Sequence, residues 1–258
     1  MSNEEPKLFE SYGNMIFNGN DIGVKLYRRG HPTVVVVFMS AGGSGRRGRE
    51  EFKLSLEKYA VDIVFVNDYN KLWYNTLETF SVFEILYDLT RTYERSVAVG
   101  ASMGGSGAIL ATQYLKNLSR VLEFSPQYSI KPPFIEFDEY YRDVGKDRLS
   151  GNYQFSNYAE NAKVEICQIL YGYNHWQDYI HQSMFKSWSF AITNTNSPHH
   201  AVAEHLKHHG ALERLLDVFM DFSGSWSLSA LRQSIIHFVT PVSLSASARA
   251  CETIETSC

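Results

Sequence analysis

The residues best suited to do chemistry lie in Gly100-Ala-Ser102-Met-Gly104, a Gly-x-Ser-x-Gly pattern. The β-branched and apolar run Ser96–Gly100 precedes it, and the helix-forming run Ala108–Leu115 follows it. A serine between such runs sits on a tight strand-to-helix turn. Small glycines permit the bend and let the helix pack close to the strand. The turn exposes the hydroxyl and aims the first helical N–H groups, with the positive end of the helix dipole, at whatever the serine attacks. Ser102 is therefore the candidate nucleophile. A glycine-rich turn of a nucleotide-binding fold is the competing interpretation. It lacks support, because the chain has neither Gly-x-Gly-x-x-Gly nor a phosphate-loop pattern.

A serine hydroxyl needs a base within hydrogen-bond reach, and that base is usually a histidine held by a carboxylate. After the apolar run Val164–Leu170 comes Gly172-Tyr-Asn-His-Trp-Gln-Asp178, in which Asp178 is the only carboxylate and the candidate acid. Its alternative role is a favourable charge in the first turn of a helix over 178–188. After the next run, Phe190–Thr195, His199 and His200 both fall between a strand end and a helix start. His200 is preferred because Ala-Val-Ala leads from it directly into a helix, with His199 as competitor. His205, His208 and His209 read as surface positions. His205 and His209 have i, i+4 spacing, but no His-Glu-x-x-His pattern accompanies them, so no metal is expected.

The oxyanion formed on attack requires two N–H donors. The backbone of Met103, next after the nucleophile, is one candidate. The other lies in Ser40-Ala-Gly-Gly-Ser-Gly45, where Ala41 is preferred and Ser40 is the alternative. Arg46, Arg47 and Arg49 follow and read as a solvated basic turn. Trp73 and Tyr74, after the run Val61–Val66, are candidate substrate-facing walls of a cleft.

These loops need a frame. Met15–Phe17 and Val24–Arg28 around Asn18-Gly19 predict a hairpin with a turn of the Asn-Gly type. Thr33–Met39 and Val61–Val66 read as strands buried on both faces. Helical spacing covers 49–60 and 77–93, and further helices are expected over 178–188, 201–208 and 211–221. Strands alternating with helices predict a mostly parallel sheet with helices on both faces, and function at the carboxyl ends of the strands. Residues 126–162, rich in proline, acids and tyrosine, interrupt the alternation and read as an insertion or lid. The expectation is one domain over 1–240, with a flexible Ser/Ala/Thr-rich tail over 241–258.

Bulk properties agree. With 258 residues, 44% hydrophobic and 20% charged, the chain has ample material for a core, and a net charge of -4 provides no basic face for nucleic acid. Cys167, Cys251 and Cys258 form neither a zinc-binding nor a disulfide pattern. The acidic start Met-Ser-Asn-Glu-Glu-Pro is unlike a signal peptide, and no apolar run approaches the roughly 20 residues of a membrane span. A cytoplasmic location is the default expectation; oligomeric state is left open.

Gly100-Ala-Ser102-Met-Gly-Gly105, Val34-Val-Val-Val-Phe-Met-Ser-Ala-Gly-Gly43 and the order Ser102, Asp178, His200 together resemble the α/β-hydrolase superfamily over most of residues 15–222. Phe124-Ser-Pro-Gln-Tyr-Ser129 and His200-Ala-Val-Ala-Glu-His-Leu206 more loosely resemble hydrolase-fold proteins of bacterial polysaccharide and glycoprotein-export loci. The resemblance implies a cofactor-free serine hydrolase or acyltransferase working through an acyl-enzyme. The His-Gly usual at the oxyanion strand is replaced by Met39-Ser40-Ala41. The expected substrate is a small-molecule or saccharide ester. A non-catalytic protein of the same fold, binding a carbohydrate or a partner protein, is the alternative.

Overall fold

The computed structural model describes residues 13–138, 141–142, 144, 148–149, 151–185, 190–223 and 227–239. The tail expected over 241–258 lies outside them. Eight strands form one sheet: β1 (Asn14–Asn18), β2 (Ile22–Tyr27), β3 (Thr33–Phe38), β4 (Asp62–Asp68), β5 (Arg95–Ala101), β6 (Leu118–Phe124), β7 (Cys167–Gly172) and β8 (Ala191–Thr195). Their order is β1-β2-β4-β3-β5-β6-β7-β8, parallel from β4 to β8 and antiparallel at the β1–β2 edge. The helices are α1 (Lys53–Leu56), α2 (Glu78–Thr90), α3 (Met103–Ala111), α4 (Trp176–Met184), α5 (Val202–His208), α6 (Ala211–Met220) and α7 (Leu228–Ser234).

The period-two alternation of β3 divides the core. Val34, Val36 and Phe38 pack with buried residues of α2 and α3 and with Ile130, Ile135 and Tyr158 of the inserted stretch. Val35, Val37 and Met39 face Leu56 of α1 and the buried faces of α5 and α6. Every residue of β3 is buried, as a central parallel strand requires. Full burial of one such valine or leucine contributes about 1.5–3 kcal/mol. Among the described residues no helix is long and apolar enough to cross a membrane.

Two expectations need correction. The hairpin forms, but Asn18 belongs to β1 and β2 begins at Ile22, so the connection is the three residues 19–21 rather than an Asn18-Gly19 turn. The reason is Glu78 at the start of α2, whose carboxylate accepts the N–H groups of Asn20, Asp21 and Ile22 at 2.8–2.9 Å and holds the loop open. The helix expected over 49–60 shrinks to Lys53–Leu56. Its acids are engaged elsewhere: Glu50 takes Lys25 and Lys53 at 2.7 Å each, and Glu51 takes the Ser40 N–H at 2.6 Å. Phe52 at φ 61° breaks the helical path. Helix α7 had no counterpart in the expected elements.

Candidate active site

The loops after β3, β4, β5, β6, β7 and β8 converge at the carboxyl edge of the sheet. Ser102 follows Ala101, the last residue of β5, and caps α3 at φ 53°, ψ −123°, a conformation that non-glycine residues adopt only under strain of about 1–3 kcal/mol. Its N–H donates to the Phe124 carbonyl at 2.7 Å. A Cβ at Gly100 would overlap the Gly104 carbonyl, and one at Gly104 would overlap Phe38 O. Both glycines of the motif are thus required by close backbone approach, and the second sets α3 against the end of β3.

His200 follows β8, and Asp178 lies in the first turn of α4. Ser102 Oγ is 2.8 Å from His200 Nε2, and His200 Nδ1 is 2.6 Å from Asp178 Oδ1. The structure therefore brings together Ser102, His200 and Asp178. His199 is exposed, its carbonyl accepting from Ser197 Oγ, and it stays outside this line. Asp178 also lies in the first turn of α4, two residues after its start and beside the N-cap His175, whose Nδ1 is 3.3 Å from the Asp178 N–H. Burial pushes the Asp178 carboxyl up, but hydrogen bonds from His175 and His200 outweigh it and hold the group below its ordinary value. An ionised Asp178 fixes the His200 proton on Nδ1 and leaves Nε2 as an acceptor facing the serine.

The Met103 N–H opens α3 and so has no intrahelical acceptor. In the β3 loop, Gly42 and Gly43 N–H groups turn into Ser40 Oγ at 3.1 and 3.2 Å, while Ser40 N–H goes to Glu51. Among the described residues no acceptor meets the Ala41 N–H. The loop is thereby folded around Ser40, with Glu51 as its anchor. Burial raises the Glu51 carboxyl above its ordinary value.

Trp73 and Tyr74 are not cleft walls. Both are fully buried, at 0% and 1% exposure. Tyr74 donates its hydroxyl to Met39 O at 2.9 Å inside the core. The cause is Asp68 at the end of β4. Its carboxylate accepts Leu72 and Tyr74 N–H at 2.8 Å each and pulls the loop inward, with Lys71, Trp73 and Tyr74 all at positive φ.

Three nearby groups escaped the sequence analysis. Gln127, after β6, has its side-chain oxygen held by Trp73 Nε1 at 2.8 Å, which turns its NH2 toward Ser102 Oγ and His200 Nε2, 3.4 Å from each. Tyr141, from the inserted stretch, places its hydroxyl 3.2 Å from His200 Nε2 and packs edge-on against Trp73. Gln127 follows the strand next to β5, and that position was the available signal. For Tyr141 the one signal was its place in the tyrosine-rich stretch 126–162, read as an insertion or lid. His175, the third, caps α4 and lies 3.2 Å from Asp178 Oδ1. The acceptor on Nε2 is thus ringed by donors, an arrangement able to relay a proton between a hydroxyl and a leaving oxygen.

Comparison with known proteins agrees with this fold. The capsule O-acetyltransferase of Neisseria meningitidis serogroup A superposes with a TM-score of 0.54 at 13% identity, over 80% of this chain and 100% of that one. The acylaminoacyl peptidase of Pyrococcus horikoshii gives 0.55 at 15%, over 81% of this chain and 41% of the peptidase. A glycosylation-associated protein complex of Streptococcus agalactiae gives 0.57 at 11%, over 83% and 47%. At such identities the likeness is one of fold. No curated protein matches the chain by sequence. The Esterase family model matches residues 22–165, more than half of the chain and including β2 to β6 with Ser102. The chain therefore belongs to the Esterase family, an ester-cleaving or acyl-transferring enzyme on the α/β-hydrolase fold.

Proposed function

We propose that the protein is a serine hydrolase that cleaves a carboxylic ester through an acyl-enzyme on Ser102. The unbroken run of contacts from Ser102 Oγ through His200 to Asp178, at 2.8 and 2.6 Å, carries this reading. His200 Nε2 takes the hydroxyl proton as Oγ attacks the carbonyl carbon. The tetrahedral oxyanion is held by the Met103 and Ala41 N–H groups, and the imidazolium then protonates the leaving alcohol. Water, activated by the same imidazole, releases the acid. Gln127 Nε2 and Tyr141 OH flank the proton path on the leaving-group side and bind the oxygen that departs.

Polar groups crowd the nucleophile, which suits a small acyl group on a polar alcohol, and we assign the substrate class as an O-acylated saccharide. The likeness in fold to a capsule O-acetyltransferase over that protein's whole length supports the same class. A second reading, acyl transfer to a saccharide hydroxyl, is favoured by Tyr141. This residue of the inserted stretch places its hydroxyl against the imidazole, and transfer needs water kept from the acyl-enzyme.

The test is intact mass after exposure to a fluorophosphonate, on wild type and Ser102→Ala. One adduct on wild type alone is expected. An unmodified, folded wild type would remove the activated serine and with it the hydrolase reading.

A further inference from the structure

Asp178 serves two imidazoles, and only one belongs to the proton path. Its Oδ1 lies 2.6 Å from His200 Nδ1 and 3.2 Å from His175 Nδ1. Its other oxygen, Oδ2, is buried without a hydrogen-bond partner, and the residue is only 2% exposed. Buried carboxylate oxygens are ordinarily satisfied, so a left-over one signals an absent partner. His175 sharpens the point. Its Nδ1 lies between the Asp178 N–H, at 3.3 Å, and the Asp178 carboxylate, at 3.2 Å, accepting from the first in one tautomer and donating to the second in the other. Such a pair is bridged by a proton on Nδ1 or, with the proton displaced, by a metal ion.

We propose that His175, Asp178 and His200 form an inhibitory binding site for a divalent transition-metal ion of the zinc type. One ligating atom from each residue lies within 4.8 Å of the other two. Two imidazoles and one carboxylate suit zinc rather than magnesium or calcium, which take mainly oxygen. Tetrahedral zinc, with bonds of about 2.0–2.2 Å, spaces its ligands roughly 3.3–3.5 Å apart. The His175–Asp178 separation of 3.2 Å already matches, and the 2.6 Å contact to His200 must open by less than an ångström-scale side-chain shift. Both histidine side chains keep about a quarter of their surface in solvent, 28% and 25%, so the ion has a path inward.

The inhibitory part rests on the function proposed above. In the free site His200 carries its proton on Nδ1 and accepts at Nε2. Metal on Nδ1 displaces that proton to Nε2, with no net proton released from a neutral imidazole. An Nε2 that already bears hydrogen cannot take the proton of Ser102, so the ion switches the nucleophile off without touching it.

The experiment uses the full chain stripped with EDTA, as wild type, His175→Asn and His209→Ala. Asparagine retains an N-cap acceptor for α4 but offers no imidazole. Calorimetric titration with zinc chloride reads binding, and the rate of fluorophosphonate labelling, with and without zinc, reads the hydroxyl. One zinc per wild-type chain is expected, with affinity at least about tenfold weaker in His175→Asn and unaltered in His209→Ala. Zinc should slow wild-type labelling at least about tenfold, reversed by EDTA, with that sensitivity lost in His175→Asn. No zinc heat on wild type, or equal affinity in His175→Asn, overturns the site. Binding that leaves the labelling rate unchanged overturns the inhibition. A wild type never labelled, even metal-free, would defeat the serine hydrolase reading instead, and calorimetry would still decide whether the site exists.

Discussion

The two halves of the candidate site are held by different means. Ser102 is held through its own backbone: strand β5, helix α3 and two glycines fix it, a main-chain bond ties it to Phe124 O of the neighbouring strand, and its neighbourhood is almost wholly buried. His200 is held remotely. Its partners Asp178, Tyr141 and Gln127 lie 22, 59 and 73 residues away, and all the bonds are between side chains. Geometry of the first kind is set by backbone sterics and survives side-chain changes around it. Geometry of the second kind depends on each partner, so its loss should appear in chemistry before it appears in stability.

The largest effect tests that division directly. Asp178→Asn should leave the fold and the Ser102 turn intact while lowering kcat on the order of 10⁴-fold, because the imidazole is then free to adopt the wrong tautomer. Steady-state kinetics on a p-nitrophenyl ester, with circular dichroism as control, measures both. A drop of less than tenfold would erase the distinction between the halves. Gly104→Ala is the converse. Its Cβ would meet the Phe38 carbonyl, and overpacking against backbone should cost about 3 kcal/mol, read as a lowered urea midpoint.

Asp68 belongs to the remote half at one further step, since it folds the loop that carries Trp73. Burial pushes its carboxyl up to about 6, against the hydrogen bonds from Tyr74, Leu72 and Asn70. The folded state thus binds this proton more tightly than the unfolded chain, and stability falls as pH rises from about 4 through 6. Relative to Asp68→Asn, wild type should lose up to about 3 kcal/mol across that window, measured by denaturant melts at pH 4 and 7. A flat difference would mean that the loop is insensitive to this charge.

The same division explains what the sequence made legible. The turn at Ser102, the parallel strands and the order Ser102, Asp178, His200 follow from short-range pattern and connectivity. Trp73 and Tyr74 were misassigned because aromatic residues after a strand suggest a cleft wall, whereas the buried Asp68 draws them beneath the surface. The 49–60 helix failed for a related reason: Glu50 and Glu51, good helix formers, are bonded to Lys25 and Ser40 instead. Gln127, Tyr141 and His175 were not legible as a group, since only tertiary folding assembles them.

The smallest effects probe the outer ring of the remote half. Trp73→Phe preserves most of the ring volume but removes the donor to Gln127 Oε1, leaving a buried amide oxygen unpaired at a cost of about 1–2 kcal/mol. The freed Gln127 NH2 no longer faces Ser102, so kcat should fall about tenfold with KM little altered. Tyr141→Phe should do less. It deletes one hydroxyl 3.2 Å from His200 Nε2 while keeping the ring against Trp73. Loss of one neutral hydrogen bond of about 1 kcal/mol corresponds to a few-fold change in kcat. Direction matters more than size here. If Tyr141 only packs, hydrolysis is unchanged; if its hydroxyl positions the departing or accepting oxygen, alcohols of high pKa suffer more than p-nitrophenol, which needs little protonation to leave. A series of acetate esters of graded leaving-group pKa, compared between wild type and Tyr141→Phe, separates these outcomes. A steeper dependence in the variant would tie the inserted stretch to the chemistry of His200.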